Sequence, residues 1–176
     1  LQREAQGRFE LFCGHYNEWL AYAQLQQGKD AGAELTRKCV AQVRGMVEKG
    51  EGTEYLRGAW SAAGMALFLG VDEGEWLDPI DFPKTPQTAR ARFVQAHAAV
   101  LRYHDSDLDK AKAGVREMRS LYTQFNEMMD AETRLTYGVW LERAIERGEA
   151  LVQIAEGDRE SGLAALEQAA AAELAL

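Results

Sequence analysis

The sequence has few prolines, few cysteines and no long apolar run, and each shortage excludes a class of protein. Only three prolines occur in 176 residues, and 47% of the residues are hydrophobic, so the chain is neither fibrous nor disordered. Runs of β-branched residues, which favour strands, are missing. Ala, Leu, Glu, Gln and Arg dominate instead, and these residues keep their rotamer freedom in a helix. The composition predicts one all-α domain over residues 1–176.

Basic residues are also scarce. There are 28 acidic and 20 basic residues, which gives a formal net charge of −8, and the basic ones do not cluster. Nucleic acids and anionic membranes are bound through clustered Lys and Arg, so we expect neither as a partner. No apolar stretch reaches the roughly 18 residues that a membrane-spanning helix needs. A basic peptide stays possible as a partner.

The only two cysteines, Cys13 and Cys39, lie 26 positions apart. This pair is too small for a disulfide framework, and its spacing matches no zinc motif. The preferred interpretation is two buried free thiols that act as small apolar side chains. The alternative is a disulfide that links the first two helices.

The two ends of the sequence suggest a fragment of a longer chain. It begins "LQREAQ" without Met and ends "AAAELAL" inside an apparent helix. The compartment, cytoplasmic or periplasmic and secreted, therefore stays open. Apolar helical faces at the ends also leave self-association as a possibility.

A short pattern recurs around Gly28, Ser106 and Gly157. Each of these residues separates two helix-like runs, with a small residue seven positions before it and another five positions after it. The small residues are Ala21, Ala99 and Ala150 before the break, and Ala33, Ala111 and Gly162 after it. Small residues let two antiparallel helices approach closely. The pattern predicts helical hairpins, which must stack on one another because a single hairpin cannot bury its own apolar face.

A coarse reading of the chain predicts seven helices over residues 3–27, 31–48, 54–69, 86–104, 107–127, 131–156 and 159–175. A fourth hairpin around Gly70 matches less well, because its second arm holds all three prolines. We expect a loop over residues 71–87, with Thr85 as the N-cap of the next helix and Trp76 filling the space of the missing arm. The remaining tryptophans and the methionines are expected in the core, namely Trp19, Trp60, Trp140, Met118, Met128 and Met129.

The offsets around the breaks are similar to those of the tetratricopeptide repeat (TPR). The stretches "AYAQLQQGKDAGA", "AAVLRYHDSDLDKA" and "ALVQIAEGDRESG" carry the likeness. The motif order "WLAYAQLQQG", "DFP", "SDLDKA" and "IAEGDRESGLAAL" resembles that of uncharacterised bacterial TPR proteins over residues 15–172. The resemblance implies an α-α superhelix of about three to four degenerate repeats. Gln24 and Gln153 depart from it, because the family has an aromatic residue four positions before the turn glycine.

The resemblance also implies a binding surface. In this family the inner, concave face comes from the first helix of each hairpin, and it implies a protein-binding or scaffolding domain that recognises a protein or peptide. The positions of this sequence that match that register are His15, Glu18, Tyr22, Arg57, Trp60, Phe93, Tyr103, His104 and Arg147. Some of these side chains are expected only to pack one hairpin against the next.

Motifs for metals fit poorly. Asp105 opens a run with acids at the first, third and fifth positions of a calcium loop, but the required sixth and twelfth residues are Lys110 and Arg116. The acids are better explained by the helix N-terminus that follows. His97 and His104 lie seven residues apart on one predicted helix, without a third ligand at a suitable spacing. We expect no metal and no cofactor.

Catalytic motifs fit no better. Cys13 and His15 are two residues apart, which on a helix turns their side chains about 200° away from each other. No phosphate loop or nucleophile elbow occurs. We expect no enzyme. The alternative is the accessory region of an enzyme, or a metal- or small-ligand-binding protein, whose chemistry lies outside this chain or at His97 and His104.

Overall fold

The computed structural model describes residues 12–51, 54–128 and 138–174, apart from the side chains at positions 54, 55, 57, 128, 173 and 174. Over these ranges the chain is helical and has no strand, which confirms the all-α prediction. The helices are α1 (His15–Leu25), α2 (Asp30–Glu48), α3 (Glu54–Glu73), α4 (Ala89–Tyr103), α5 (Leu108–Met128), α6 (Val139–Ala155) and α7 (Arg159–Leu174). A 3₁₀ turn, Pro86–Thr88, precedes α4. No helix of this described part is long and apolar enough to cross a membrane.

The chain forms two compact units, Leu1–Ala91 and Arg92–Leu176. The first contains α1, α2, α3 and the start of α4, and its largest fully buried side chains include Met65, Leu69 and Val43. The second contains the rest of α4 and α5, α6 and α7. Its fully buried side chains include Phe93, Val94, Val100, Met118 and Leu121. One continuous domain over the chain stays a prediction.

The bends at Gly28 and Gly157 are equivalent. Each glycine has a positive φ, 63° and 99°, and its N–H donates to the carbonyl three residues earlier. The N–H of the following residue donates to the carbonyl five residues earlier, at 2.9 Å for Lys29 and 3.1 Å for Asp158. This is the Schellman motif, in which glycine avoids the steric cost of the left-handed conformation. The predicted break at Ser106 is present but differs, because the N–H groups of Ser106 and Asp107 both donate to Tyr103.

The two helices of each hairpin approach closely at a glycine of the second helix. A methyl carbon on Gly32, Gly114 or Gly162 would lie 2.8 Å from a carbonyl oxygen of the preceding helix, too close for a real side chain. Those carbonyls belong to Ala21, Ala96 and Ala150 respectively. The crossing falls at the expected residue in the last hairpin, one residue before Ala33 in the first, and beyond Ala111 in the middle one.

Cys13 and Cys39 are joined by a disulfide and are 3% and 0% exposed. The preferred interpretation of two free thiols is therefore wrong. The alternative of a disulfide holds, but the bond joins α2 to the residue two positions before α1 rather than two helices. The segment before α1 is not helical over residues 12–14, although a helix was predicted from residue 3; residues 3–11 lie outside the described ranges. Gly14 has a φ of 139°, which places the start of α1 at His15.

No hairpin bend forms at Gly70, because α3 continues to Glu73. Residues 74–84, here called the strap, are not helical, as the prolines predicted. Trp76 covers Gly70 so closely that a methyl carbon there would lie 2.3 Å from the indole ring. The expectation that this tryptophan fills the space of the missing arm agrees with its position.

The strap is fastened to the first hairpin. Arg37 of α2 forms an ion pair with Glu75 at 2.5 Å, and an Arg44 Nη atom donates to the carbonyl of Asp78 at 2.7 Å. Leu77 packs against a buried cluster of α1, α2 and α3, which consists of Leu25, Ala33 and Leu69. Two further strap side chains, Ile80 and Phe82, are buried. An extended segment thus does the packing that a second helix would do in a hairpin.

Candidate partner-binding surface

Helix α1 exposes an unusual number of large apolar side chains for its eleven residues. Tyr16 is 82% exposed, Trp19 59%, Leu20 49% and Tyr22 44%. The side chains that α1 buries are fewer and include only one large apolar residue; they are Glu18, Ala21 and Leu25. We call the exposed set His15, Tyr16, Trp19, Leu20 and Tyr22 the α1 face.

The rings of the α1 face contact one another. The imidazole of His15 lies 4.1 Å from Trp19 and 6.3 Å from Tyr16, measured between ring centroids, and Tyr16 meets Trp19 edge to face at 6.4 Å. Helical spacing explains the two contacts of Trp19, because it lies four residues after His15 and three after Tyr16, on one side of the helix. Tyr22 is instead braced by Phe68 of α3, at 5.0 Å. These contacts restrict the rotamers open to the rings.

Beside the α1 face lies a buried carboxylate, that of Glu18, which is 9% exposed. The hydroxyl of Ser61 on α3 donates to its Oε2 atom at 3.2 Å. Its Oε1 atom lies against Gly64, where a methyl carbon would come within 2.8 Å. Desolvation by burial raises the pKa of Glu18, and the Ser61 hydrogen bond and the charges of His15 and Arg90 oppose the rise without cancelling it.

The indole ring of Trp60, on α3, faces the positively charged side chain of Arg90. The guanidinium carbon of Arg90, in the first turn of α4, is 4.2 Å from the centre of the indole ring. This distance is well within cation–π range. Trp60 is half-buried. Arg90 is also close enough to Glu18 for its charge to lower the pKa of that carboxyl group, against the larger effect of burial. The first unit therefore brings together three positions expected from the sequence, His15, Glu18 and Trp60.

Several members of this arrangement were missed. Tyr16 was not singled out, and Trp19 was expected in the core, which is wrong because it is more than half exposed. The signal in the sequence was weak, because the side of α1 that the structure buries contains a glutamate, Glu18, and does not stand out as an apolar stripe. Ser61 and Arg90 had no such signal, because their roles depend on contacts between distant parts of the chain.

The expected positions in the second unit are described separately. Phe93 is fully buried and contacts Trp140 at 6.2 Å between ring centroids, so it belongs to the core and we do not carry it into a binding surface. Tyr103 is the last residue of α4, and the centre of its ring lies 5.0 Å from the guanidinium carbon of Arg102 and 4.8 Å from the Nζ atom of Lys110.

Three of the positions expected from the sequence remain: His104 and Arg147 in the second unit, and Arg57 in the first. His104 shares a hydrogen bond of 2.9 Å between its Nδ1 atom and the carbonyl of Leu101. The positive charge of Arg147 lies near His97 and lowers its pKa. The side chain of Arg57 lies outside the described part of the structure.

Among the described residues, the structure brings no further ligand to the possible metal site at His97 and His104. His97 is 7% exposed, and desolvation together with the nearby charge of Arg147 lowers its pKa to about 4, so the ring is neutral at physiological pH. Within the ranges that the structure describes, no group of three His, Cys, Asp or Glu residues could hold an ion. Asp107 serves the helix, as expected, because its Oδ1 atom accepts the N–H of Lys110 at 3.2 Å.

Comparison of the chain with family models, with curated proteins and with solved structures gives no match. The likeness to TPR proteins therefore stays an expectation from the sequence motifs.

Proposed function

We propose that the protein is a TPR-like binding or scaffolding domain that recognises a protein or peptide partner, and that the α1 face is its principal contact surface. The observation that carries this proposal is the exposure of Tyr16, Trp19, Leu20 and Tyr22 on one short helix. Burying such side chains against a partner would be favourable, because it removes apolar surface from water. Contiguous apolar surface of this kind marks interaction sites in soluble proteins.

The chemistry of the face favours a protein partner. Tyr and Trp are the residues most enriched among those that carry binding energy, because they offer large rigid contact area and a polar atom at the edge. Beside the face, Trp60 of α3 adds a further aromatic side chain and Arg90 of α4 adds a positive charge. A superhelical stack of the hairpins, with the family's concave groove, belongs to the same proposal.

The same domain is proposed to work in an oxidising compartment. Its two cysteines are joined in a buried disulfide, and such bonds persist where no cytosolic reductants act. Protein isolated from its source with an alkylating agent present from lysis should therefore show no labelled cysteine under denaturing conditions. Two labelled cysteines in the freshly trapped protein would contradict this assignment.

A site-specific crosslinking experiment tests the binding surface. A photoreactive phenylalanine analogue at Tyr16 should form crosslinks to a discrete partner in an extract of the source organism. The matched control carries the analogue at Leu163 of α7, which is also exposed, at 41%, but does not belong to the face.

Crosslinking at position 16 should fall at least about tenfold when Trp19→Ala is added, because aromatic anchors of an interface carry most of its affinity. Circular dichroism checks that helicity is unchanged. Equal crosslinking at positions 16 and 163, or no effect of Trp19→Ala, would contradict the assignment of the face.

A further inference from the structure

A separate groove lies in the second unit, among α5, α6 and α7. It has a volume of about 440 Å³, within the range of ligand sites. Its apolar lining comes from Val115, Ala150, Val152 and Ala165. A second depression of about 330 Å³ adjoins it, sharing Glu146 and Glu149, and reaches Tyr122 and Ile145. The combined shape is elongated along α5 and α6, which suits a length of peptide better than a compact small molecule.

The charged side chains of this groove are almost all paired. Lys112 of α5 binds Glu156 at 2.5 Å, and Arg119 of α5 binds Glu149 of α6. Glu146 is paired along its own helix with Arg143, at 2.5 Å. Each acid that lines the 440 Å³ groove is therefore paired with a cation, whereas Glu142, which lines the adjoining depression, has no ion pair among the described residues.

Arg116 is different. It lines the groove one turn away from both Lys112 and Arg119, but among the described residues it has no ion pair or hydrogen bond. The reason lies in the register of the two antiparallel helices. The pairs on either side set Arg116 opposite Val152 and Gln153, which carry no charge. Within the described part of the chain, the groove thus has an apolar floor, ion pairs at its sides and one positive charge, that of Arg116, without a counterion.

From this geometry we infer that the groove is a second binding site, independent of the α1 face, for an acidic peptide segment in which aliphatic side chains flank a carboxylate. The aliphatic side chains cover the floor formed by Ala150, Val152 and Ala165, and the carboxylate binds the guanidinium of Arg116. Charge complementarity selects the acidic segment, because Glu146 and Glu149 beside Arg116 are paired with cations and Arg116 has no counterion among the described residues. The planar guanidinium also suits bidentate binding of a carboxylate.

Peptide display with a charge reversal tests the inference. Random twelve-residue peptides are selected on the whole protein and on Arg116→Glu. The wild type should enrich peptides with Asp or Glu beside Leu, Ile, Val or Met, and Arg116→Glu should enrich Lys or Arg at the same place. A selected acidic peptide, labelled with fluorescein, should bind Arg116→Ala at least about tenfold more weakly, as expected for loss of a charge-assisted hydrogen bond.

Two further variants locate the site. Arg159→Glu makes the same charge change at an exposed arginine on α7 that does not line the groove, and it should keep the wild-type preference. Ala165→Trp fills the floor and should abolish binding of the acidic peptide while circular dichroism shows an unchanged helix content.

The inference is overturned if no acidic, aliphatic peptides are enriched, or if Arg116→Glu selects the same peptides as the wild type. Sodium decanoate provides the small-molecule arm. Saturable binding of decanoate without peptide enrichment would assign the groove to small amphipathic carboxylates instead. Loss of peptide binding in Trp19→Ala but not in Arg116→Glu would move the activity to the α1 face and also overturn the inference.

Discussion

At the scale of the residue, Glu18 combines burial with charge. Its carboxylate accepts one hydrogen bond from Ser61 and lies against the backbone at Gly64, so little water reaches it. A carboxyl group whose pKa is raised in the folded state binds protons more tightly there than in the unfolded state. Stability is then greatest below the unfolded pKa and falls as the pH rises through the folded pKa.

Glu18→Gln should therefore stabilise the protein at about pH 7, where the wild type carries the buried charge, and the difference should shrink towards about pH 4. Glutamine keeps the size of the side chain and an oxygen that accepts the Ser61 hydrogen bond. Urea unfolding of both proteins across this pH range provides the measurement.

The matched control is Glu73→Gln, which changes an exposed glutamate at the end of α3. It should leave stability nearly unchanged over the same range. A wild type that is more stable than Glu18→Gln at neutral pH would show that Arg90 and His15 compensate the buried charge fully.

At the scale of the element, two glycines of α2 have opposite roles. Gly32 lies at the crossing with α1, where a methyl carbon would meet the Ala21 carbonyl at 2.8 Å. At Gly45 the same methyl carbon would have no neighbour within 4 Å. One glycine is required by packing, and the other only lowers the helix propensity of α2.

Gly45→Ala should raise the unfolding free energy by about 0.5–1 kcal/mol, the usual gain of alanine over glycine inside a helix. Gly32→Ala should lower it despite the same gain, because the backbones of α1 and α2 must separate. Chemical denaturation monitored at the helical CD signal compares the two variants. Equal effects at the two positions would contradict the close crossing.

The elements differ in how far the sequence determines them. The bends at Gly28 and Gly157 were predictable because the Schellman motif needs a glycine at one fixed place. The absence of a helix after Gly74 followed from the prolines. The path of the strap did not, because Arg37, Arg44 and the cluster that receives Leu77 are distant in sequence.

The candidate surface was only partly predictable for the same reason. The family register selected His15, Glu18 and Trp60, which the structure brings together, but it also selected Phe93, which is buried. Arg116 drew notice only as a failed calcium ligand. That it has no partner among the described residues depends on the register between α5 and α6, which no local pattern encodes.

At the scale of the whole molecule, the disulfide is the one covalent constraint in the described chain. It joins positions separated by 26 residues and closes a loop that contains α1 and the first half of α2. Cys13 also packs against Gly58 of α3, so the bond lies where three segments meet. Whether two cysteines pair cannot be read from their spacing, because pairing depends on Cα positions and Cβ directions.

Replacing both cysteines, Cys13→Ala with Cys39→Ala, should lower the unfolding free energy by about 3.5 kcal/mol, the loop-closure entropy of a ring of this size. Guanidinium unfolding with and without dithiothreitol provides the measurement. The reductant should destabilise the wild type and leave the double variant unaffected. Equal sensitivity of the two proteins to dithiothreitol would show that its effect does not come from this bond.

The strap affects where the backbone amides of the protein exchange their hydrogens with water. Its side chains are held by α2 and by a buried apolar cluster, but its main chain lacks the ladder of hydrogen bonds that shields the amides of a helix. We therefore expect order and amide protection to be separated there: the segment keeps a fixed path, while its amide hydrogens exchange faster than those of the neighbouring helices. A hydrogen-exchange map read alone would class it with loose loops.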